Sequence, residues 1–459
     1  MITNITLKNF KLHENTELEM APITIFIGPN NSGKSSIFHA LTLLNQASRY
    51  PPNYTGLLQN IQRDSQGENY VYAPYGKMIC LDLGNYKDIV RNEKEPLSIH
   101  LKGEVKPSKE ELEIQTSPPP ASRFAAPEQK TTSIIIPSIH VELLLQYQNN
   151  AFRYYKGFVK GKSWQIEWEK GITLKETVKP QEIDLSFGKI TIMPETNDHY
   201  IGARSGGFSN TLNLSGEKLQ EIGDFFNSFF SAPKQLIQST HYIHPLRGFE
   251  EWAVPVANPP DELNTILNAD RATGLCNKLA HDPDLVEKVS AHLKQLLDIE
   301  LTHYLVQGGK VAIITKKKKT YLVNEGTGAQ QIPFIILPII MAPKEDTILV
   351  SEPESHLHPK AQSELAKLFV KIWKKENKQF LIETHSEHIL HAFLYAVAKK
   401  ELNPEQVRIY YFENENGRAR VTNVEVDEHG RTKSGLPGFF DQQLKELSDY
   451  LDTLEETEA

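Results

Sequence analysis

A chain of 459 residues that is 39% apolar and 24% charged is long enough for two or three structural units and too apolar for general disorder. Its net charge of −8 argues against a surface that wraps nucleic acid indiscriminately, because nonspecific binding draws on many phosphate contacts; a local basic contact stays open. With only two cysteines, Cys80 and Cys276, neither a disulfide framework nor a thiolate metal cluster can be built, and a reducing cytoplasm is the expected setting.

The N-terminus, MITNITLKNF, lacks a charged region followed by a long apolar stretch, so no signal peptide is expected. Strand patterns in NITLKNF and ELEMAPITIFIG run into the glycine-rich GPNNSGKSS, and a helical pattern follows from Ser35 to about Gln46. Gly28, Gly33, Lys34 and Ser35 stand in a G-x-x-x-x-G-K-S frame, which ordinary residue frequencies produce in only about one or two chains of this length in a hundred. Between a strand and a helix, this frame reads as a phosphate loop. Its glycines let backbone N–H groups turn inward around an anion, and the helix N-terminus adds a favourable dipole. Lys34 should reach the β- and γ-phosphates and the Ser35 hydroxyl should hold Mg²⁺. Such a loop, in an N-terminal lobe taken as residues 1–104, predicts a nucleotide with Mg²⁺ but by itself leaves kinases, GTPases and motor ATPases open; the second half of the chain decides for ATP.

Residues 105–133 are rich in Pro, Ser, Ala and charge without periodicity and predict a mobile loop. Aromatic and β-branched alternation in SIHVELLLQY, AFRYYKGFVKGKSWQIEWEKG and GKITIMPE then predicts an inserted antiparallel meander within residues 134–240, closed by a helix from Ser215 to Ser231. A C-terminal lobe, residues 241–425, follows. It opens with a helix from Asp284 to Leu297 and a hairpin, GGKVAIITKKKKTYLV, with Lys316 to Lys319 at its tip. That tip is expected to be solvated, with a nucleic-acid contact as the alternative. The apolar run IPFIILPIIMAP from Ile332 contains three prolines and falls short of the roughly 20 residues a bilayer requires, so it predicts a buried helix and no membrane span. Thereafter TILVSE, PKAQSELAKLFVKIWKKE and QFLIETHS alternate strand, helix, strand, which points to parallel strands with helical crossovers. Residues 426–459 are taken as a small terminal module. The predicted fold class is α/β: a central, mostly parallel sheet with an antiparallel β subdomain and an inserted α/β region.

Two apolar strands thus end in polar turns, one at Ser351-Glu352-Pro353-Glu354 and the next at His385. A carboxylate to handle Mg²⁺ or polarise water, and a polar sensor of the γ-phosphate, are what ATP hydrolysis needs. At GPNNSGKSS, EPESHLHP and ETHS the chain resembles the ABC-type ATPase heads of bacterial RecF-like, chromosome-maintenance and overcoming-lysogenization-defect ATPases. The resemblance covers about residues 1–90 and 240–442, and HYIHPLRG and the C-terminal GLPGFFDQQ are similar as well. It implies a P-loop ATPase head in which Gly28, Pro29, Asn30, Asn31, Ser32, Gly33, Lys34, Ser35 and Ser36 form the Walker A loop. Glu352 becomes the water-polarising acid and, with Ser35, faces the metal; His385 becomes the γ-phosphate switch. His356 to Pro359 becomes a dimer-facing loop. The family's signature segment, which seals the ATP of a facing subunit, maps to Glu325, Gly326, Thr327 and Gly328 in VNEGTGAQQIPF. LNLSGEK, Leu212 to Lys218, looks more like the usual signature but lies more than 130 residues before the acidic strand, and Ser215 reads there as a helix N-cap.

Ser351 departs from the family pattern, which places an acid there; Glu354 would substitute if the Pro353 turn aims it inward. The glutamine loop cannot be placed, although Asn45-Gln46 lies in a plausible interval. His356, His358, His385, His388 and His391 invite a zinc reading, yet no carboxylate and cysteine set matches them at ligand spacing. Arg247 is expected to form a structural ion pair in preference to a phosphate contact.

The resemblance implies a homodimer, or higher oligomer, closed by an ATP sandwich and released by hydrolysis, a switch for whatever is attached. No long heptad run offers a chromosome-spanning coiled coil. Only about seventy residues follow ETHS, so an effector such as a nuclease is expected on a separate protein. Heads of this kind occur in bacterial antiphage systems such as Septu or retron-associated modules. The alternatives are a RecF-like DNA repair ATPase and, because of Ser351, a nonhydrolysing nucleotide-bound scaffold.

Overall fold

A computed structural model describes residues 1–48, 61–63, 69–71, 89–106, 111–116, 130–135, 138–148, 151–160, 165–171, 181–185, 188–194, 201–204, 232, 235–249, 251–256 and 272–433. Three apolar pentapeptides, Ile23–Ile27, Thr347–Ser351 and Gln379–Glu383, are buried at every position, as strands covered on both faces must be. They sit side by side in a six-stranded sheet. Its order is Thr240–Ile243, Thr347–Ser351, Gln379–Glu383, Ile23–Ile27, Val407–Glu415 and Arg418–Val424. The first five run parallel, and only the last turns back against its neighbour.

The connections explain where a ligand can sit. Helix Pro359–Glu376 carries the chain from Thr347–Ser351 to the adjacent Gln379–Glu383. It starts at the His358 cap with Pro359 in its first turn and stops at Asn377 in the left-handed region, φ 54°. Helix Glu387–Ala398 then carries the chain past Ile23–Ile27 to Val407–Glu415, leaving the slot that the phosphate-loop strand fills. The carboxyl ends of three buried strands therefore meet at one edge, where open α/β sheets bind their ligands. Helix Thr327–Met341 keeps Pro333 and Pro338 inside it and is buried continuously from Gln331 to Ile339, as an all-apolar helix should be. No helix among the described residues is long and apolar enough to cross a membrane. Helix Pro283–Leu297 starts one residue before the expected Asp284, where the Asp282 side chain accepts from Leu285 N.

A second sheet is antiparallel, in the order Gln165–Gly171, Ala151–Lys160, Ile139–Gln148, Leu97–Val105, Ile2–Phe10 and His13–Glu19. Strands of the predicted meander thus extend the N-terminal sheet, because Ile139–Gln148 pairs along the whole of Leu97–Val105 and covers what would be an open edge. Gln181–Leu185, Gly188–Pro194 and Ile201–Arg204 form a separate three-stranded sheet.

Two expectations need correction. Within the predicted loop of residues 105–133, Glu111–Thr116 pairs with Lys130–Ile135. The alternation in ELEIQT has the strand period of two, which the surrounding Pro and Ala text obscures. The hairpin near residue 310 is built from Leu301–Val306 and Lys310–Thr315, with Gly308 and Gly309 at its tip. Lys316 to Lys319 instead form the exposed turn after it, and its second arm shrinks to one bridge between Ile314 and Tyr321. The predicted helix Ser215–Ser231, LNLSGEK and GLPGFFDQQ lie outside the described residues.

Candidate nucleotide site

The phosphate loop begins where the chain must pass under a neighbour. At Gly28, φ 139°, a Cβ would lie 2.2 Å from the carbonyl oxygen of Phe412, so only glycine fits. Pro29 and Asn30 are exposed, and Asn31 is in the left-handed region with its carbonyl accepting from Asn414 Nδ2 at 2.8 Å. The Lys34 side chain folds back over the loop, donating to Gly28 O at 3.0 Å and Pro29 O at 2.7 Å. Burial lowers its pKa, opposed by the charges of Glu383, Glu352 and Glu354. Ser32 and Ser36 are buried, and Ser36 N bonds Gly33 O as the helix Lys34–Ser48 begins.

His13, which nothing in the sequence singled out, props this loop from below. It is fully buried; Nε2–H donates to Gly33 O at 3.0 Å, and Nδ1 accepts from Thr16 Oγ1 at 2.9 Å. The neutral ring therefore has both nitrogens satisfied, and burial pushes its pKa down to about 4. Between that value and the unfolded one, near 6.5, the unfolded chain binds the extra proton, so this stability is full above the window and is lost as pH falls through it. The thermal unfolding midpoint should drop on acidification across this range. His13→Gln keeps an N–H for Gly33 but takes up no proton, and its profile should be flatter. Some slope of the same sign will persist, because His39, beside Lys11 Nζ at 2.7 Å, is pushed by burial to about 3.

The acidic side of the site is assembled from two strand ends. Ser35 Oγ donates to Glu383 Oε1 at 2.5 Å, and Ser351 Oγ donates to Glu383 Oε2 at 2.8 Å. Tyr242 OH lies 3.3 Å from Ser351 Oγ and extends the chain of hydroxyls. Glu383 and Ser351 are register partners on adjacent parallel strands, and both are buried. Glu383 was not among the predicted site residues. Its signal was an acid closing the otherwise apolar QFLIE, since a buried carboxylate must be bound by something.

Glu352 follows Ser351 in the left-handed region, φ 45°, with its N–H on Glu383 O at 2.8 Å. Its charge acts on both Lys34 and His385. Glu354 does not take the place left by Ser351. It accepts from Thr384 Oγ1 at 2.7 Å and His385 N at 2.6 Å, binding the two turns together, and burial raises its pKa. His385 itself is exposed, with its pKa lowered by partial burial and by Lys34. Arg247 is a brace: it donates to His244 O at 2.8 Å, Ser351 O at 3.0 Å and Glu352 O at 2.7 Å. These are carbonyls, where an ion pair was expected, and burial pushes the guanidinium down to about 10. Asn45 likewise donates to backbone, at Ile237 O and Thr240 O, while the Gln46 side chain lies outside the described residues.

Gly326 caps helix Thr327–Met341 with no side-chain cap bond among the described residues, and it is exposed. Gly328 packs within the same protomer against the His356 turn. Glu325 faces the lysine turn, accepting from Thr320 Oγ1 at 2.5 Å with Lys318 Nζ at 3.6 Å. Thr327 is exposed in the first turn of that helix. His356 and His358 are exposed, and His358 Nδ1 caps Lys360 N. Among the described residues no group of three or more His, Cys, Asp or Glu side chains is placed to hold a metal ion. The phosphate-loop site offers oxygen donors instead, Ser35 Oγ and the Glu383 carboxylate, which suit a hard cation such as Mg²⁺ that shares its remaining ligands with phosphate and water.

Residues 1–117 and 255–390 match a family model described as an AAA ATPase domain, and residues 402–449 match one described as a protein of unknown function, DUF3696. No curated protein matches the chain. Similar solved structures include the SMC head domain from Thermotoga maritima, 11% identical, covering 93% of this chain and 99% of that one at a TM-score of 0.37. Others are the SMC head bound to the C-winged helix domain of ScpA, 11% identical over 93% of this chain and 98% of that one at 0.41, and the head with an extended coiled coil derived from Pyrococcus furiosus, 10% identical over 100% and 99% at 0.39.

Proposed function

The chain belongs to the AAA ATPase domain family, and on that premise we propose that two copies clasp ATP between them and use its hydrolysis as a conformational switch. The observation that carries this reading is the convergence of Lys34 and Ser35 with the Glu352 turn and the His385 turn at one sheet edge. Loop N–H groups and Lys34 bind the β- and γ-phosphates, and Ser35 holds the metal side of the nucleotide. Bound Mg²⁺ supplies charge neutralisation on the phosphate oxygens. Glu352 draws a proton from the attacking water, and His385 reports the γ-phosphate. The exposed helix start at Gly326 offers its N–H groups to the nucleotide of the facing copy.

Nucleotide content after purification and light scattering with and without ATP test the sandwich, using Lys34→Ala as the control. Wild type should retain nucleotide and double its mass with ATP, and the variant should do neither. Equal nucleotide content and equal mass in both proteins would overturn the reading. The head is further proposed to control a separate effector, such as a nuclease in a bacterial antiphage system; the resemblance at GPNNSGKSS, EPESHLHP and ETHS supports this. Phage restriction that depends on Lys34 is the expected result. ATP-dependent affinity for duplex DNA with a steep salt slope would favour a recombination role in its place.

A further inference from the structure

Ser351 leaves the Thr347–Ser351 strand without an acid at its tip, yet a carboxylate is present at that depth. The geometry points to a transposition: Glu383, on the neighbouring strand, supplies the anionic side of the Mg²⁺–nucleotide site that Ser351 cannot. Glu383 stands across the parallel ladder from Ser351, so moving the acid between them shifts it by one strand and leaves it at the same level. It stands between Ser351 and the phosphate-loop strand, and one of its oxygens reaches the Ser35 hydroxyl, the group assigned to the metal.

Charge and hydrogen bonding support the same assignment. Among the described residues, both groups that hydrogen-bond the Glu383 carboxylate are neutral hydroxyls, Ser35 and Ser351, in a site where the residue is almost fully buried. A buried carboxylate that accepts from hydroxyls retains a demand for positive charge, which Lys34 meets in part and a hard divalent cation would meet directly. The arrangement also explains the serine. An acid at 351 would face Glu383 directly, and like charges at paired positions oppose each other. One acid per pair is the stable choice, with the small hydroxyl filling the second position and donating to the first.

The inference rests on the nucleotide-binding reading, so its test measures metal and nucleotide separately. Mn²⁺ binding to the complex with adenylyl imidodiphosphate is titrated by electron paramagnetic resonance, and metal-free binding of the same nucleotide by calorimetry. Glu383→Gln keeps the shape and removes the charge. It should weaken Mn²⁺ binding about 10–100-fold, the range for groups that orient a metal's ligands, while neither metal-free nucleotide affinity nor the unfolding midpoint falls, because the exchange removes a buried negative charge beside Lys34. The double variant Ser351→Asp/Glu383→Thr should bind Mn²⁺ more tightly than Glu383→Thr alone, approaching wild type. Wild-type Mn²⁺ affinity in Glu383→Gln, or no gain in the double variant, would overturn the transposition alone. Failure of the wild-type protein to bind the nucleotide would remove the nucleotide reading, and this inference with it.

Discussion

Glu352→Gln should bind ATP as wild type does and hydrolyse it at least about a hundredfold more slowly, the lower range for losing a positioned general base. The turn that aims Glu352 is held by main-chain bonds that the exchange leaves intact. Its N–H bonds Glu383 O, and the Arg247 fork binds the carbonyls of Ser351 and Glu352. A non-glycine residue at φ 45° costs on the order of 1–3 kcal/mol, which the three bonds offset and which Gln incurs equally. The side-chain change therefore acts on chemistry more than on fold. Phosphate release under single-turnover conditions measures it, and light scattering should find the ATP-bound dimer persisting longer than in wild type. An unchanged rate would place the water-polarising group elsewhere. A wild-type protein that retains ATP and releases no phosphate would favour the nonhydrolysing scaffold.

The parts of this site that were legible in the sequence are the local ones. GPNNSGKSS, the Ser351 to Glu354 turn and the His385 turn each follow an apolar strand within a few residues, so pattern alone could locate them. Strand order is a different kind of information. Nothing in QFLIETHS says that its strand lies between Ile23–Ile27 and Thr347–Ser351, and only that placement brings Glu383 to Ser35, 348 residues away in sequence. His13 is similar, since its bond to Gly33 depends on how the two sheets meet at the loop. Arg247 was visible as a charge, but its partners are carbonyls, which every residue carries and no sequence marks. The same limit explains the meander. Alternation identified its strands as strands, whereas their pairing with Leu97–Val105 is a long-range choice that the pattern leaves open.

Two glycines in VNEGTGAQQIPF should respond in opposite ways to substitution, which separates fold from assembly. A Cβ on Gly328 would lie 2.5 Å from the carbonyl oxygen of His356, so Gly328→Ala must displace the turn after the acidic strand. A loss of about 1–3 kcal/mol is expected, the usual cost of overpacking, read as a lower unfolding midpoint in the protomer. At Gly326 no atom of the described residues lies within 4 Å of the added carbon, and φ −58° with ψ 148° is a conformation any residue adopts. Gly326→Asp should even stabilise the protomer, because an aspartate caps a helix start that no side chain now caps, although glycine is itself a fair N-cap and the gain over it is only a few tenths of a kcal/mol, about 0.3. That same carboxylate would occupy the N–H groups proposed for the facing copy's γ-phosphate and repel it, so ATP-dependent doubling of mass should disappear. Like charges brought together at an interface cost several kcal/mol, enough to weaken the closed dimer by roughly a hundredfold or more. If Gly326→Asp doubles its mass with ATP at wild-type concentrations, the segment does not seal the partner's nucleotide, and the surface that closes the sandwich lies elsewhere.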